Sequence, residues 1–138
     1  MRFVVNDPAL GAAQLNALYA AVGWNEQGER TDHKTRLLLA RSAHFVAAWQ
    51  GEQLIGFGRV LADVYFAQIM DVMTHPEFRR RGVARGVVTR LLAFAEREGL
   101  GLLLIAAGDA VTLYERLGFM RADPTKDVLM YRPLTVGC

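Results

Sequence analysis

One stretch of this chain combines residue types and spacing suited to binding an anion. It runs Val72-Met73-Thr74-His75-Pro76-Glu77-Phe78-Arg79-Arg80-Arg81-Gly82-Val83-Ala84-Arg85. It reads as an apolar strand, a proline turn, a basic loop and the start of a long helix. Gly82 and Ala84 carry little or no side chain, so a ligand can approach the main chain closely. The first N–H groups of a helix have no intrahelical partner, and the helix dipole adds about half a positive charge there. The arginines at 79, 80, 81 and 85 add more. Together these suit a phosphate or pyrophosphate. Neither a Walker loop nor the three-glycine dinucleotide pattern is present. The plain alternative is a solvated basic helix start with small residues for packing.

A second motif, Leu113-Tyr114-Glu115-Arg116-Leu117-Gly118-Phe119, lies downstream. The elements that must position both can be read from periodicity. Residues 2–5 form a short strand. Residues 8–22 form an amphipathic helix with Leu10, Leu15, Leu18, Tyr19 and Val22 on one face, Pro8 at its start and Gly23-Trp24 at its close. Thr31 caps a second helix over 31–42, with Leu37, Leu38 and Leu39 inward. Segments 44–50, 54–63 and 65–74 read as successive antiparallel strands. Residues 82–98 are the strongest helix: Ala84, Val87, Val88, Leu91, Leu92 and Ala95 recur at helical spacing, and Gly99 ends it. LLLIAA (102–107) has the look of a buried parallel strand. Asp109 caps a helix over 110–117, and FMRA and DVLMYRP supply two last strands. A long helix between the strand ending at Thr74 and the one starting at Leu102 is a βαβ crossover.

The two motifs, in this order around that crossover, resemble the GNAT superfamily of N-acetyltransferases, which use acetyl-CoA. The family's Arg/Gln-x-x-Gly-x-Gly/Ala loop is met by Arg79, Gly82 and Ala84. Its Tyr-Glu-x-Leu-Gly-Phe segment is met by Tyr114 to Phe119. The wider pattern, Val22-Gly23-Trp24, Asp71-Val72 and Ala122-Asp123-Pro124, is similar to small bacterial and plant members of the arylalkylamine-acetyltransferase type. The resemblance implies one domain over 1–138 with an α+β fold. Its centre would be a mostly antiparallel sheet with a βαβ crossover and two splayed parallel strands. It also implies that N–H groups of Arg80, Arg81, Gly82, Val83, Ala84 and Arg85 hold the pyrophosphate. The main chain of Val72, Met73 and Thr74 would then pair with the pantetheine arm, and one N–H there would serve as an oxyanion donor.

The implied reaction is direct attack of a primary amine on the thioester. Tyr114 is the candidate acid for the departing sulfur; its alternative is a packed tyrosine. The family's strand carboxylate falls at Gln68, which cannot take a proton, so Gln68 is assigned to substrate binding. Asp71, a carboxylate in an apolar strand, needs a partner or a raised pKa; it is a candidate base or amine-binding group, or else holds a loop. His75 and a water chain are the other options for the base. The asparagine frequent in the family is Ala107 here. Trp24 is a candidate wall of the acceptor pocket, with a core role as its alternative. Trp49, His33, His44 and the methionines at 70, 73, 120 and 130 read as structural.

Composition sets the outer limits. The chain has 138 residues, 52% of them apolar and 22% charged, the composition of a globular domain. Its single cysteine, Cys138, excludes a disulfide framework and a cysteine-based zinc site, and no metal is expected. No apolar run is long enough to span a membrane. Asn6, Asp7 and Pro8 stand where a signal peptide would be apolar, so a cytoplasmic setting is expected. The net charge is +2, yet residues 79–90 carry five arginines and no acid. A local patch of that kind points to an anionic ligand. Nucleic acid is disfavoured, because only Phe78 interleaves those arginines and a stacking platform needs more. The expected partner is a small-molecule amine, and the last strands and Cys138 lie where an edge could pair, which leaves room for a homodimer. The competing reading is a non-catalytic acetyl-CoA-binding module of the same fold, favoured by Gln68 and Ala107.

Overall fold

The computed structural model describes residues 1–134. They fall into two compact units, Met1–Ile105 and a second beginning at Ala106. The first contains β1 (Arg2–Val5), α1 (Ala12–Ala21), α2 (Asp32–Arg41), β2 (His44–Gln50), β3 (Gln53–Ala62), β4 (Phe66–Thr74), α3 (Val83–Glu98) and β5 (Gly101–Leu104). A single 3-10 turn, Pro76–Phe78, leads from β4 to α3. The second unit contains a 3-10 turn, Gly108–Ala110, and α4 (Val111–Arg116).

The five strands form one sheet in the order β1-β2-β3-β4-β5. All neighbours are antiparallel except β4 and β5, which are parallel and joined by α3. The expected α+β class, with its mostly antiparallel sheet and helical crossover, is borne out. Chain direction explains it: short turns join β2 to β3 and β3 to β4 as antiparallel pairs, α1 and α2 lie between the antiparallel β1 and β2, and the parallel pair requires a crossover of a dozen residues or more.

Two glycines in β3 let α3 lie close to the sheet. A Cβ on Gly56 would meet Val83, and one on Gly58 would meet Val87 and Leu91. Val83, Val87, Val88, Leu91 and Ala95 are the buried stripe of α3, the periodicity anticipated for it. Gly82 and Gly99, both left-handed, bound the helix. On the opposite face of the sheet, Leu15, Leu18 and Tyr19 of α1 pack with Ala47, Trp49, Phe57 and Met73. Each fully buried aliphatic side chain there contributes about 1.5–3 kcal/mol relative to exposure. The indole N–H of Trp49 donates to Oδ2 of Asp7 at 2.8 Å, which makes Trp49 a core residue as expected.

Several expectations are corrected. α1 begins at Ala12, not near Pro8. Asp7 instead closes a turn, accepting from the Ala9 N–H through Oδ1 and from the Leu10 N–H through its carbonyl. In α2 Leu38 and Leu39 pack partly buried against the core as expected, but Leu37 is exposed and the fully buried residue is Thr35, whose hydroxyl donates to Asn16 at 2.6 Å. Thr31 does cap α2, accepting from the Lys34 N–H. β5 is shorter than LLLIAA and half-exposed. Asp109 lies inside the 3-10 turn and makes no capping bond. Neither of the last two strands forms: residues 119–134 contain no strand, and strand composition does not by itself supply the partner that a strand requires. Met120 and Met130 are exposed rather than packed. The homodimer reading drew on Cys138, which lies outside the described residues.

Candidate active site

β4 and β5 pair over four positions only, from Phe66 opposite Gly101 to Ile69 opposite Leu104. β4 then runs on through Met70–Thr74 without β5. A bulge marks the parting. Met70 faces Arg59 and Met73 faces Phe57, so β4 spends one residue more than β3 between those pairs. Asp71 takes the strain with φ +54, a left-handed conformation that Asp tolerates better than most residues. Beyond the bulge the His75 N–H donates to the Ile55 carbonyl at 2.8 Å. Main-chain groups alternate along a strand. Met73 therefore also faces β3, while the N–H and C=O groups of Val72 and Thr74 point the other way, beyond the last residue of β4 paired with β5.

The chain then turns through Pro76–Phe78 into the basic loop. Arg80 (φ +64) and Gly82 (φ +80) are both left-handed, a backbone pattern that turns successive N–H groups to one side as an anion nest. The first α3 bond is Gly86 N–H to Gly82 carbonyl, so the amides of Val83, Ala84 and Arg85 are free of the helix ladder. A Cβ on Gly82 would touch nothing within 4 Å; the space over the loop is open. Arg79, Arg80, Arg81 and Arg85 are exposed and make no ion pair among the described residues. Arg81 lies over the Phe78 ring, 5.0 Å from its centre. These donors and charges fit a pyrophosphate.

Asp71 points to the α1 face of the sheet and is held there. Its Oδ2 accepts from the Tyr19 hydroxyl at 2.7 Å and from Nε of Arg59 at 2.7 Å. The two charged side chains are only 11% and 16% exposed, so each needs the other. Burial, reinforced by the Asp71 charge, pushes the Tyr19 phenol far above its ordinary range; it remains a donor. Arg30 stacks on the other side of Tyr19, 3.6 Å from the ring centre, while its Nε donates to the Trp24 carbonyl. Oδ1 of Asp71 receives no hydrogen bond from the described residues. Met70 and Gln68 share this face, and Gln68 is half-buried.

Trp24 is 45% exposed, which removes the core alternative for it. His75 accepts from the Glu77 N–H and packs edge-on against Phe78, a turn-capping role. His44 is buried and stacked on Phe94, 4.3 Å between ring centres, the structural role expected of it. In the second unit Tyr114 is buried on α4, edge-on to Phe119 at 5.7 Å. Burial raises its phenol pKa, so it too carries its proton at neutral pH. Among the described residues no group of three His, Cys, Asp or Glu side chains could hold a metal. No helix of the described residues is long and apolar enough to cross a membrane.

Asp71, Val72, Met73 and Thr74 thus lead in the chain through the Pro76–Phe78 turn into the Arg79–Arg85 loop. Tyr19 and Arg59 were not anticipated as partners of Asp71. The signal was present: Arg59 is the only charge within the apolar stretch 54–61, and a lone charge in such a strand implies a partner.

Residues 11–119 match the acetyltransferase (GNAT) family. The chain is 30% identical over 125 residues to the uncharacterised N-acetyltransferase ycf52 of Pyropia yezoensis, covering 86% of this chain and 70% of that one. A Staphylococcus aureus protein shares the fold with a TM-score of 0.81 at 22% identity, covering 96% of this chain and 100% of the other. A GNAT-family acetyltransferase of Streptococcus pneumoniae does so with a TM-score of 0.72 at 20% identity, covering 99% and 100%.

Proposed function

Because the chain belongs to the acetyltransferase (GNAT) family and is an acetyltransferase, we propose that it moves an acetyl group from acetyl-CoA to the primary amine of a small molecule. The family's donor is acetyl-CoA. The observation that carries the reading is the strand edge left open beyond Ile69, with the unpaired amides of the α3 start following it in the chain.

Acetyl-CoA, when bound, supplies an acetyl group activated as a thioester. The amides from Arg80 to Arg85 and the guanidinium groups of Arg79, Arg80, Arg81 and Arg85 hold its pyrophosphate. The outward main-chain groups of Val72 and Thr74, spaced by Met73, take the pantetheine arm as an added strand. An outward N–H there donates to the acetyl oxygen, where negative charge develops during attack. The amine approaches on the α1 face. Asp71 receives it through Oδ1, Gln68 orients it, and Trp24 walls the pocket. An N–C bond forms as the C–S bond breaks. Of the two protons that an ammonium loses in becoming an amide, Asp71 passes one to solvent, and Tyr114 delivers the other to the sulfur. The whole chain works as one domain in a cytoplasmic setting, and the attack needs no metal.

The test is thiol release from acetyl-CoA in the presence of aryl amines, polyamines, amino acids and peptides. Release above background hydrolysis with at least one amine is expected. Tyr114→Phe should lower turnover by about 100-fold while acetyl-CoA binding stays intact. No release with any amine would sink the transfer reading, and wild-type turnover in the variant would remove Tyr114 from it.

A further inference from the structure

Between α2 and the far half of β3 lies an open groove of about 450 Å³, lined by Lys34, Leu37, Leu38, Arg41, Arg59 and Leu61. Its size is that of a small-ligand site. Lys34, Leu37, Leu38 and Arg41 follow the i, i+3, i+4, i+7 spacing that defines one face of a helix. That face has a cation at each end and two leucines between. Leu37 and Leu61 are more than a third exposed, so the apolar middle of the groove is left uncovered. Three of the six lining residues are cations and none is an acid.

Arg59 is the part already built. Its side chain is 11% exposed and Nε is committed to Asp71. Its two outer nitrogens make no hydrogen bond to the described residues, and no buried side-chain nitrogen or oxygen atom lacks a partner. Those outer nitrogens therefore reach the solvent of the groove they line. A guanidinium anchored at Nε presents a planar fork of donors, the shape that matches a carboxylate in two parallel hydrogen bonds. Lys34 and Arg41 make no ion pair among the described residues, so the groove carries uncompensated positive charge beside the carboxylate of Asp71.

We infer that this groove binds the carboxylate of the acceptor, so that the amine acetylated is an amino acid. This rests on the reading above that Asp71 meets the amine. The ammonium faces Oδ1 of Asp71, the carboxylate sits on the outer fork of Arg59 within the field of Lys34 and Arg41, and an apolar side chain lies on Leu37, Leu38 and Leu61. One guanidinium thus joins both ends of a zwitterion.

The test uses two readouts. Calorimetric binding of N-acetylphenylalanine is compared with that of N-acetylphenylalaninamide, and thiol release with phenylalanine is compared with phenylalaninamide. The acid should exceed the amide by about tenfold or more in each, the scale of a charge-assisted hydrogen bond. In Lys34→Glu/Arg41→Glu, checked for an unchanged melting temperature, the ratio should fall to near one; Arg41→Gln serves the same purpose if the double variant does not fold. Equal binding of acid and amide, or a ratio unmoved by charge reversal, overturns the groove assignment whether or not thiol is released. A binding preference that collapses on charge reversal supports it, even if no amine releases thiol and the transfer reading fails.

Discussion

Gly56 seats the start of α3 on the sheet, and a single methyl group there tests whether that seating positions the proposed coenzyme site. A Cβ at residue 56 would stand 2.3 Å from Cγ1 of Val83, 3.2 Å from Cβ of Ala48 and 3.3 Å from the Met73 carbonyl oxygen. Carbon atoms pack at about 3.5–4.0 Å, so Val83 must retreat by about 1.2–1.7 Å. It cannot do so by rotating: it is 1% exposed and β-branched in a helix, where one rotamer dominates. The helix start must move instead, and with it the amides of Val83, Ala84 and Arg85. Overpacking of this kind costs about 1–3 kcal/mol, and a misplacement of about 1 Å in a positioning element costs roughly 100-fold in rate. Gly56→Ala should therefore melt several degrees lower and raise the KM for acetyl-CoA by about tenfold or more. Gly86→Ala is the control. A methyl there would meet the Phe3 ring at 2.3 Å, but the contact is with the outer end of a half-buried side chain that can swing, on which Arg90 stacks at 4.3 Å. The helix gains about 1 kcal/mol from losing a glycine, offset by the ring's shift, and KM should stay within about twofold of wild type. Thiol-release kinetics and thermal melting read both. Wild-type KM and melting in Gly56→Ala, or an equal rise in KM in Gly86→Ala, would refute the reasoning.

Asp71→Ala should destabilise the fold by about 2–4 kcal/mol in urea melts, because it strands a nearly buried guanidinium and a buried phenol; a loss under about 1 kcal/mol would show the Arg59 pair to be dispensable. His44 predicts a pH effect. Burial, then the charge of Arg97, lowers its pKa below the usual 6.5. The unfolded chain thus binds the proton more readily, and this contribution is complete above about pH 6.5 and fades as pH falls through the folded value. The urea midpoint should drop more between pH 7.5 and 5.5 in wild type than in His44→Phe, which retains an aromatic ring against Phe94; parallel slopes would contradict the assignment.

The elements legible in the sequence are those whose signal is local. The apolar stripe of α3 and its flanking glycines, the Thr31 cap of α2 and the alternating strands β2 to β4 each depend on neighbours a few residues away. The turn from β4 through Pro76 to the start of α3 at Gly82 is legible for the same reason. What escaped depends on distant partners. Pro8 looks like a helix start until Asp7 is seen committed to the Ala9 amide and the Trp49 indole, 42 residues on. DVLMYRP has strand composition, yet a strand also requires a partner edge, and composition does not name one. Leu37 has core chemistry but lies on a groove, because Thr35 and Asn16 set the rotation of α2. Asp71 stood out as an anomaly, while its bonds to Tyr19 and Arg59 span 52 and 12 residues.

The extra residue at Asp71 also changes the parity of β4. Before it, even-numbered positions such as Gln68 and Met70 look toward α1; after it, the odd-numbered Met73 does, while Val72 looks toward α3. Deleting Asp71 would mend the ladder with Met73 still opposite Phe57, and would remove from the α1 face the carboxylate that Tyr19 and Arg59 share. The Asp71 carboxylate and the outward peptide groups of Val72 and Thr74 follow one another along the chain because the strand is out of step with itself there.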